Sequence, residues 1–162
     1  MSEDFYTSSV LPYAPIIKIC RAYTNTNEDF EDYYQEVCLQ LWKSRENFKE
    51  QSEWSTWVYR LSLNVCLTLL KKKKKNDQQL FSSDVPPPQT LDDPAISEES
   101  IDQLYTAIKQ LSEVDRAVIL LYLEEKSYQE IGQIMGTNAN NIGVRVKRIK
   151  ERLKKLLDGK VN

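Results

Sequence analysis

Arg145, Lys147, Arg148 and Lys150 fall on a stretch in which Ile142, Val146, Ile149, Leu153 and Leu156 recur at spacings of three and four. Wound as a helix, that stretch separates one apolar stripe from a cationic outer face. Thr137, Asn140, Asn141 and Val144 lie at its start. The chemistry on offer is recognition. An asparagine amide pairs bidentately with adenine, and lysine or arginine with guanine. Asn140, Asn141, Val144, Lys147 and Arg148 are the candidates for base edges or flanking phosphates. Arg145, Lys150 and Thr137 suit phosphates, which position a protein without specifying sequence.

The preceding residues read as the device that presents this helix. Ser127 is an N-cap, and Glu130 completes a Ser-x-x-Glu capping box. Ile131, Ile134 and Met135 then share a helical face. Gly136 can take the positive φ that closes the helix, and Asn138 can cap the next one. The pattern predicts a helix-turn-helix whose second helix is long and basic, the shape that enters a DNA major groove. A three-helix bundle with a solvated cationic face is the alternative reading of this segment.

The rest of the composition narrows the class. Across 162 residues, 41% are hydrophobic and 28% charged, an ordinary globular balance. The formal net charge is only −2, so the chain as a whole is not a basic nucleic-acid binder. Its charge is segregated: lysines run from Lys71 to Lys75, whereas Asp84, Asp92, Asp93, Glu98, Glu99 and Asp102 form an acidic stretch with no Lys or Arg among them. There is no histidine, no Cys-x-x-Cys pair and no Gly-rich phosphate loop. Histidine acid–base chemistry is thereby excluded, a Cys/His zinc site is not expected, and no cofactor or metal is predicted. Cys38 and Cys66 sit at apolar helical positions and read as buried thiols. With neither a signal-peptide pattern nor an apolar run near the ~20 residues of a membrane span, the expectation is no membrane insertion and a cytoplasmic protein.

Few stretches alternate as strands do, so the expected class is all-α. Helices are predicted over about Leu11 to Tyr23, Asn27 or Glu28 to Lys43, and Glu53 to Lys74. Periodicity then stops. Residues 76–97 hold Pro86, Pro87, Pro88 and Pro94 with several Asp and Ser, a flexible acidic linker that could reach roughly 70 Å if extended. A fourth helix near Ser97 to Ile101, a fifth over Ser112 to Glu124, and the helix-turn-helix complete a second unit. The expected domains are 1–75 and 98–162.

Two further strings matter in this frame. Glu31-Asp32-Tyr33-Tyr34-Gln35-Glu36 leads to Trp42, and Trp54-Ser55-Thr56-Trp57-Val58-Tyr59-Arg60 leads through Asn64 to the lysine run. The first resembles the core-polymerase-binding helix of bacterial extracytoplasmic-function sigma factors, in the sigma-70 family. The second resembles their promoter-melting segment. Ala107-Ile108, Leu111 and Asp115-Arg116-Ala117-Val118, followed by Ser-Tyr-Gln-Glu-Ile-Gly, resembles their −35-binding domain. The resemblance spans nearly the whole chain, in order. It implies a region 2 bundle and a region 4 helix-turn-helix, and a non-enzymatic initiation factor that brings core RNA polymerase to promoter DNA and assists −10 melting.

By that resemblance Glu31, Asp32, Gln35, Glu36 and Trp42 are the polymerase-binding candidates, and Phe48, Lys49, Trp54, Trp57, Tyr59, Arg60, Asn64, Lys71 and Lys72 the −10 candidates. Aromatic faces hold unstacked bases without sequence demands, at ~1–3 kcal/mol per base. Packing in the core is the alternative role for Trp54 and Trp57, and a solvated helix end for the lysines. An anti-sigma partner is also implied. Departures from the family pattern are Gly143 in place of Lys or Arg, Val144 in place of a small residue, Lys147-Arg148-Ile149 for an aromatic-or-His-Arg-Ala triplet, Thr68 for Asp, and Cys38 for a bulky residue. A stand-alone helix-turn-helix regulator and a helical interaction module are the competing readings.

Overall fold

The structure is a computed structural model that describes residues 2–11, 13–48, 53–80 and 99–159, with the backbone alone at 76–80. Every regular element among the described residues is helical. The chain divides into two compact units, Met1–Leu91 and Asp92–Asn162.

In the first unit, α1 (Glu3–Phe5) continues into a π-helical turn at Tyr6–Val10. It is followed by α2 (Ala14–Ala22), α3 (Asn27–Lys43), a 3-10 turn (Arg45–Asn47) and α4 (Trp54–Leu80). Pro15 opens α2, where its missing N–H costs nothing. Thr26 caps α3 by accepting from the Asp29 N–H at 3.1 Å. The apolar spacings then decide what faces inward. Ile16, Ile19 and Cys20 of α2, Val37 and Leu41 of α3, and Val58, Leu63 and Cys66 of α4 are all buried. The Cys20 and Cys66 thiols meet across α2 and α4: a hydrogen bond with Cys20 that favours the protonated thiol, together with burial, pushes Cys66 well above its ordinary pKa.

Sequence periodicity did not anticipate the first helical turns. The sequence places the first helix from Leu11, but α2 starts at Ala14, and Glu3–Val10 is already helical. This segment is short and rich in hydroxyls. Its ordering comes from tertiary anchors: Val10 is fully buried, and the Tyr6 hydroxyl donates to the Cys38 carbonyl. A second correction concerns the start of the linker. Residues 76–80 prolong α4, because Lys, Asn, Asp and Gln after the apolar stripe still permit helix. The remainder of the predicted linker, 81–97, lies outside the described residues.

The second unit holds α5 (Glu99–Lys109), α6 (Glu113–Leu123), α7 (Tyr128–Met135) and α8 (Ala139–Leu157). α6 is central: Ala117, Val118, Ile119, Leu120 and Leu121 are buried in succession, and it touches α5, α7 and α8. Ser112 caps it by accepting from the Asp115 N–H at 3.2 Å. No described helix is long and apolar enough to cross a membrane.

Candidate nucleic-acid and partner interfaces

The turn between α7 and α8 is built by three local interactions. Ser127 caps α7 by accepting from the Glu130 N–H at 3.1 Å. Gly136, at φ 78°, ends α7 in the left-handed region. Asn138 caps α8 by accepting from the Asn141 N–H at 2.9 Å. The two helices approach so closely that a Cβ on Gly132 would lie 2.8 Å from the Thr137 carbonyl oxygen. Behind the turn, Ile131 of α7 and Ile142, Val146, Ile149 and Leu153 of α8 are buried and lock α8 onto α6.

That packing turns the sequence-predicted recognition residues outward. Thr137, Asn140, Asn141, Val144, Arg145, Lys147, Arg148 and Lys150 are all exposed. They are not equivalent. The Asn141 amide donates to the Thr137 hydroxyl at 3.0 Å, which ties it to the turn. Arg145 is ion-paired with Asp115 of α6 at 2.7 Å. The Lys150 ammonium sits 4.3 Å above the Tyr122 ring, and a hydrogen bond with Tyr122 raises its pKa. Gly143 faces Tyr128: an added Cβ would come within 3.4 Å of that ring. A groove of about 510 Å³ runs along the start of α8, with Asn141, Val144, Arg145 and Arg148 on one wall and Val114 and Asp115 of α6 contributing to it.

In the first unit, α3 turns Tyr33, Val37 and Leu41 inward and so presents Glu31, Asp32 and Gln35 to solvent. Glu36 is half-buried and accepts from the Gln40 amide at 2.8 Å. Asp32, Gln35, Glu36 and the exposed Leu39 line a groove of about 660 Å³ whose other wall is Leu69, Lys72 and Lys73 of α4. Lys73 pairs with Asp29 across it. Trp42 stands apart from the groove. Its ring packs edge-on to Tyr6 at 4.9 Å and is covered by the Arg45 guanidinium at 3.5 Å.

The −10 candidates divide by their place on α4. Arg60, Asn64, Lys71 and Lys72 are exposed. Trp57 is half-buried and pairs with Phe48 at 5.5 Å between ring centres. Trp54 packs against Tyr13 at 4.8 Å and Phe5 at 5.6 Å. Tyr59 corrects the sequence reading. It is 1% exposed on the inward stripe with Val58 and Leu63, so its ring belongs to the core and does not reach a base. Lys49 lies outside the described residues.

Two family models match this chain: Sigma-70 region 2 over residues 13–76, and Sigma-70 region 4 over residues 101–153. Together they take in well over half of its length. The chain belongs to the sigma-70 family. Its similar relatives include extracytoplasmic-function members. It is 27% identical over 91% of its length to the ECF RNA polymerase sigma factor SigG of Mycobacterium tuberculosis. It spans about half of that relative (47%). It is also 27% identical to SigW of Bacillus subtilis, over 88% of this chain and 82% of SigW. In fold it is similar to the sigma factor RpoE of Bartonella quintana, solved with the anti-sigma factor NepR, at a TM-score of 0.82, 20% identity, and 97% and 98% coverage of the two chains. CnrH, solved with the cytosolic domain of CnrY, matches at a TM-score of 0.69 and 17% identity, over 98% of this chain and 90% of that one. The region 2 match thus covers α3 and its groove with α4, and the region 4 match covers α7 and most of the basic α8.

Proposed function

We propose that this chain is a transcription initiation factor that binds core RNA polymerase, directs it to specific promoters and assists melting at −10. The observation that carries the reading is the presence, in the family's order, of an exposed acidic face on α3 in the region 2 unit and an exposed cationic face on α8 in the region 4 unit. Glu31, Asp32, Gln35 and Glu36, with Leu39 among them, offer a mixed acidic and apolar surface. Docked on a basic partner surface of polymerase, such charges steer the encounter and fix its register. Arg60, Asn64 and Lys71 follow one exposed line of α4 and would track the DNA backbone, with the Phe48–Trp57 pair beside them to receive an unstacked base; Lys72 is turned toward the groove shared with α3. Asn140, Val144, Lys147 and Arg148 would read the −35 element, while Asn141 stays with the turn. The chain supplies no catalytic group in this reading: polymerase performs the phosphoryl chemistry, in the bacterial cytoplasm. An anti-sigma protein is the expected antagonist, in line with the anti-sigma factor solved with RpoE.

The test is co-elution of the purified protein with bacterial core polymerase, alongside a Gln35→Ala/Glu36→Ala double variant. The wild type should co-elute and support promoter-dependent transcription. The variant should bind roughly thirty-fold more weakly, the effect of losing about 2 kcal/mol at an interface anchor. Absence of wild-type binding would sink the proposal. Tight, specific duplex binding by the unaided protein would then favour a stand-alone regulator.

A further inference from the structure

The cationic face of α8 carries one side chain whose chemistry does not fit its neighbours. Val144 is 49% exposed, among the most exposed large apolar residues in the second unit. It lies between Ile142 and Val146, both buried. Two residues turn a helix by about 200°, so Val144 points away from the core stripe and into the outward face. There it lines the groove with Asn141, Arg145 and Arg148, and Val114 of α6, itself 44% exposed, adds further apolar surface to the same groove. Arg145, next in sequence, is drawn toward α6 by Asp115.

A valine has neither donor nor acceptor, so it cannot read the hydrogen-bonding edge of any base. Of the four bases, only thymine presents an apolar group in the major groove, its C5 methyl. The surrounding arginine and lysine residues supply the attraction for phosphate that would bring such a methyl into contact. We infer that Val144 is a specificity-determining residue that reads the C5 methyl of a thymine in the −35 element. The inference rests on the promoter-recognition reading above and adds to it the chemical group recognised. A serine or another small polar residue at this place would leave the thymine methyl facing water.

The test uses holoenzyme reconstituted from the full chain and bacterial core polymerase. Upstream elements are first selected from a library randomised around −35. Each thymine of the selected duplex is then replaced singly by deoxyuridine, which removes only the methyl. One position should weaken promoter binding roughly fourfold, the worth of one methylene-sized group withdrawn from water. A cytosine at that position should gain binding when supplied as 5-methylcytosine. Val144→Ser, a surface change that leaves the core intact, should abolish both methyl effects and retain the dependence on Arg148. If no upstream sequence is enriched, the promoter reading falls and takes this inference with it. If a sequence is enriched but is indifferent to every deoxyuridine replacement, or keeps its methyl sensitivity in Val144→Ser, this inference alone is overturned.

Discussion

Arg145 on α8 and Asp115 on α6 are joined by an ion pair of 2.7 Å, so a cation facing the recognition groove is already shared with the scaffold. Both side chains are partly exposed, and the pair adds only about 0–1 kcal/mol to stability. Its consequence is for DNA. Held by Asp115, Arg145 is positioned but partly neutralised. Asp115→Asn should release it as a phosphate contact while keeping the Asp115 N–H bond to Ser112. The plot of log affinity against log salt for duplex binding should steepen by about 0.9, the contribution of one further neutralised phosphate. An unchanged slope would show that Arg145 faces no phosphate.

The tryptophans of α4 should separate by role. Trp54 is held by Tyr13 and Phe5, two edge-on contacts that tie the N-terminal turns to α4. Trp54→Ala should lower stability by roughly 2–3 kcal/mol, since it removes a large packed ring and two aromatic pairs. Trp57 keeps one ring partner, Phe48, and borders the exposed line of α4. Trp57→Ala should cost only about 1 kcal/mol in denaturant unfolding. Its defect should appear in permanganate footprints of promoter opening, and a template premelted at −10 should rescue it. Equal unfolding losses with no opening defect would make both rings structural.

Three tyrosines of the first unit make its stability fall in alkali. Burial pushes Tyr6 and Tyr34 up to about 12, and raises Tyr33 as well. An unfolded tyrosine titrates near 10. Below pH 10 both states hold the proton, and the contribution is fully present. Between 10 and 12 the unfolded chain releases its protons first, so stability falls as pH rises. All three tryptophans lie in this unit, so their fluorescence reports it selectively. Urea midpoints followed by that signal should drop steadily from pH 10 to 12, and less steeply in Tyr34→Phe. A flat profile would refute the linkage.

Legibility from sequence depended on whether the governing constraint was local. Caps were readable because Ser127 and Asn138 act on N–H groups three residues away. The apolar stripe of α8 was readable because helical period alone sorts it. Tyr59 was misplaced because its neighbours Trp57 and Arg60 lie on the outward line, and one residue turns a helix by about 100°. The ordered Glu3–Val10 turns were invisible because their anchors, Cys38 and Trp54, are distant in sequence. The closures of α6 and α7 make the same contrast. Gly136 announces its left-handed turn, whereas Glu125 adopts φ 62° with no glycine to signal it.

That second closure is a place to gain stability. After α6 the Lys126 N–H bonds to the Leu121 carbonyl at 3.2 Å and the Glu125 N–H to the Tyr122 carbonyl at 2.9 Å, a Schellman arrangement. It holds a glutamate where the left-handed region costs a side-chain-bearing residue roughly 1 kcal/mol or more. Glu125→Gly should relieve that strain and raise the melting temperature of the second unit by several degrees. A lower melting temperature would mean that the glutamate side chain contributes more than its backbone costs.

The two glycines of the recognition turn should respond in opposite proportion to their visibility. Gly136 has the positive φ, yet a Cβ there would meet nothing within 4 Å. Gly136→Ala should therefore cost only the left-handed penalty, roughly 1–2 kcal/mol. Gly132 is in ordinary helical conformation, but its Cβ would lie 2.8 Å from the Thr137 carbonyl oxygen and 3.1 Å from the Asn138 carbonyl carbon, both backbone atoms. Neither can swing aside as a side chain would. The turn itself must open, and with it the Asn138 cap and the placement of Asn140 and Val144. Gly132→Ala should lose roughly 2–3 kcal/mol, in the range of overpacking a tight contact. It should also abolish −35-dependent binding under conditions where the unit remains folded by circular dichroism. Binding that survives in Gly132→Ala would mean that the close approach of α7 to the turn does not set the pose of α8.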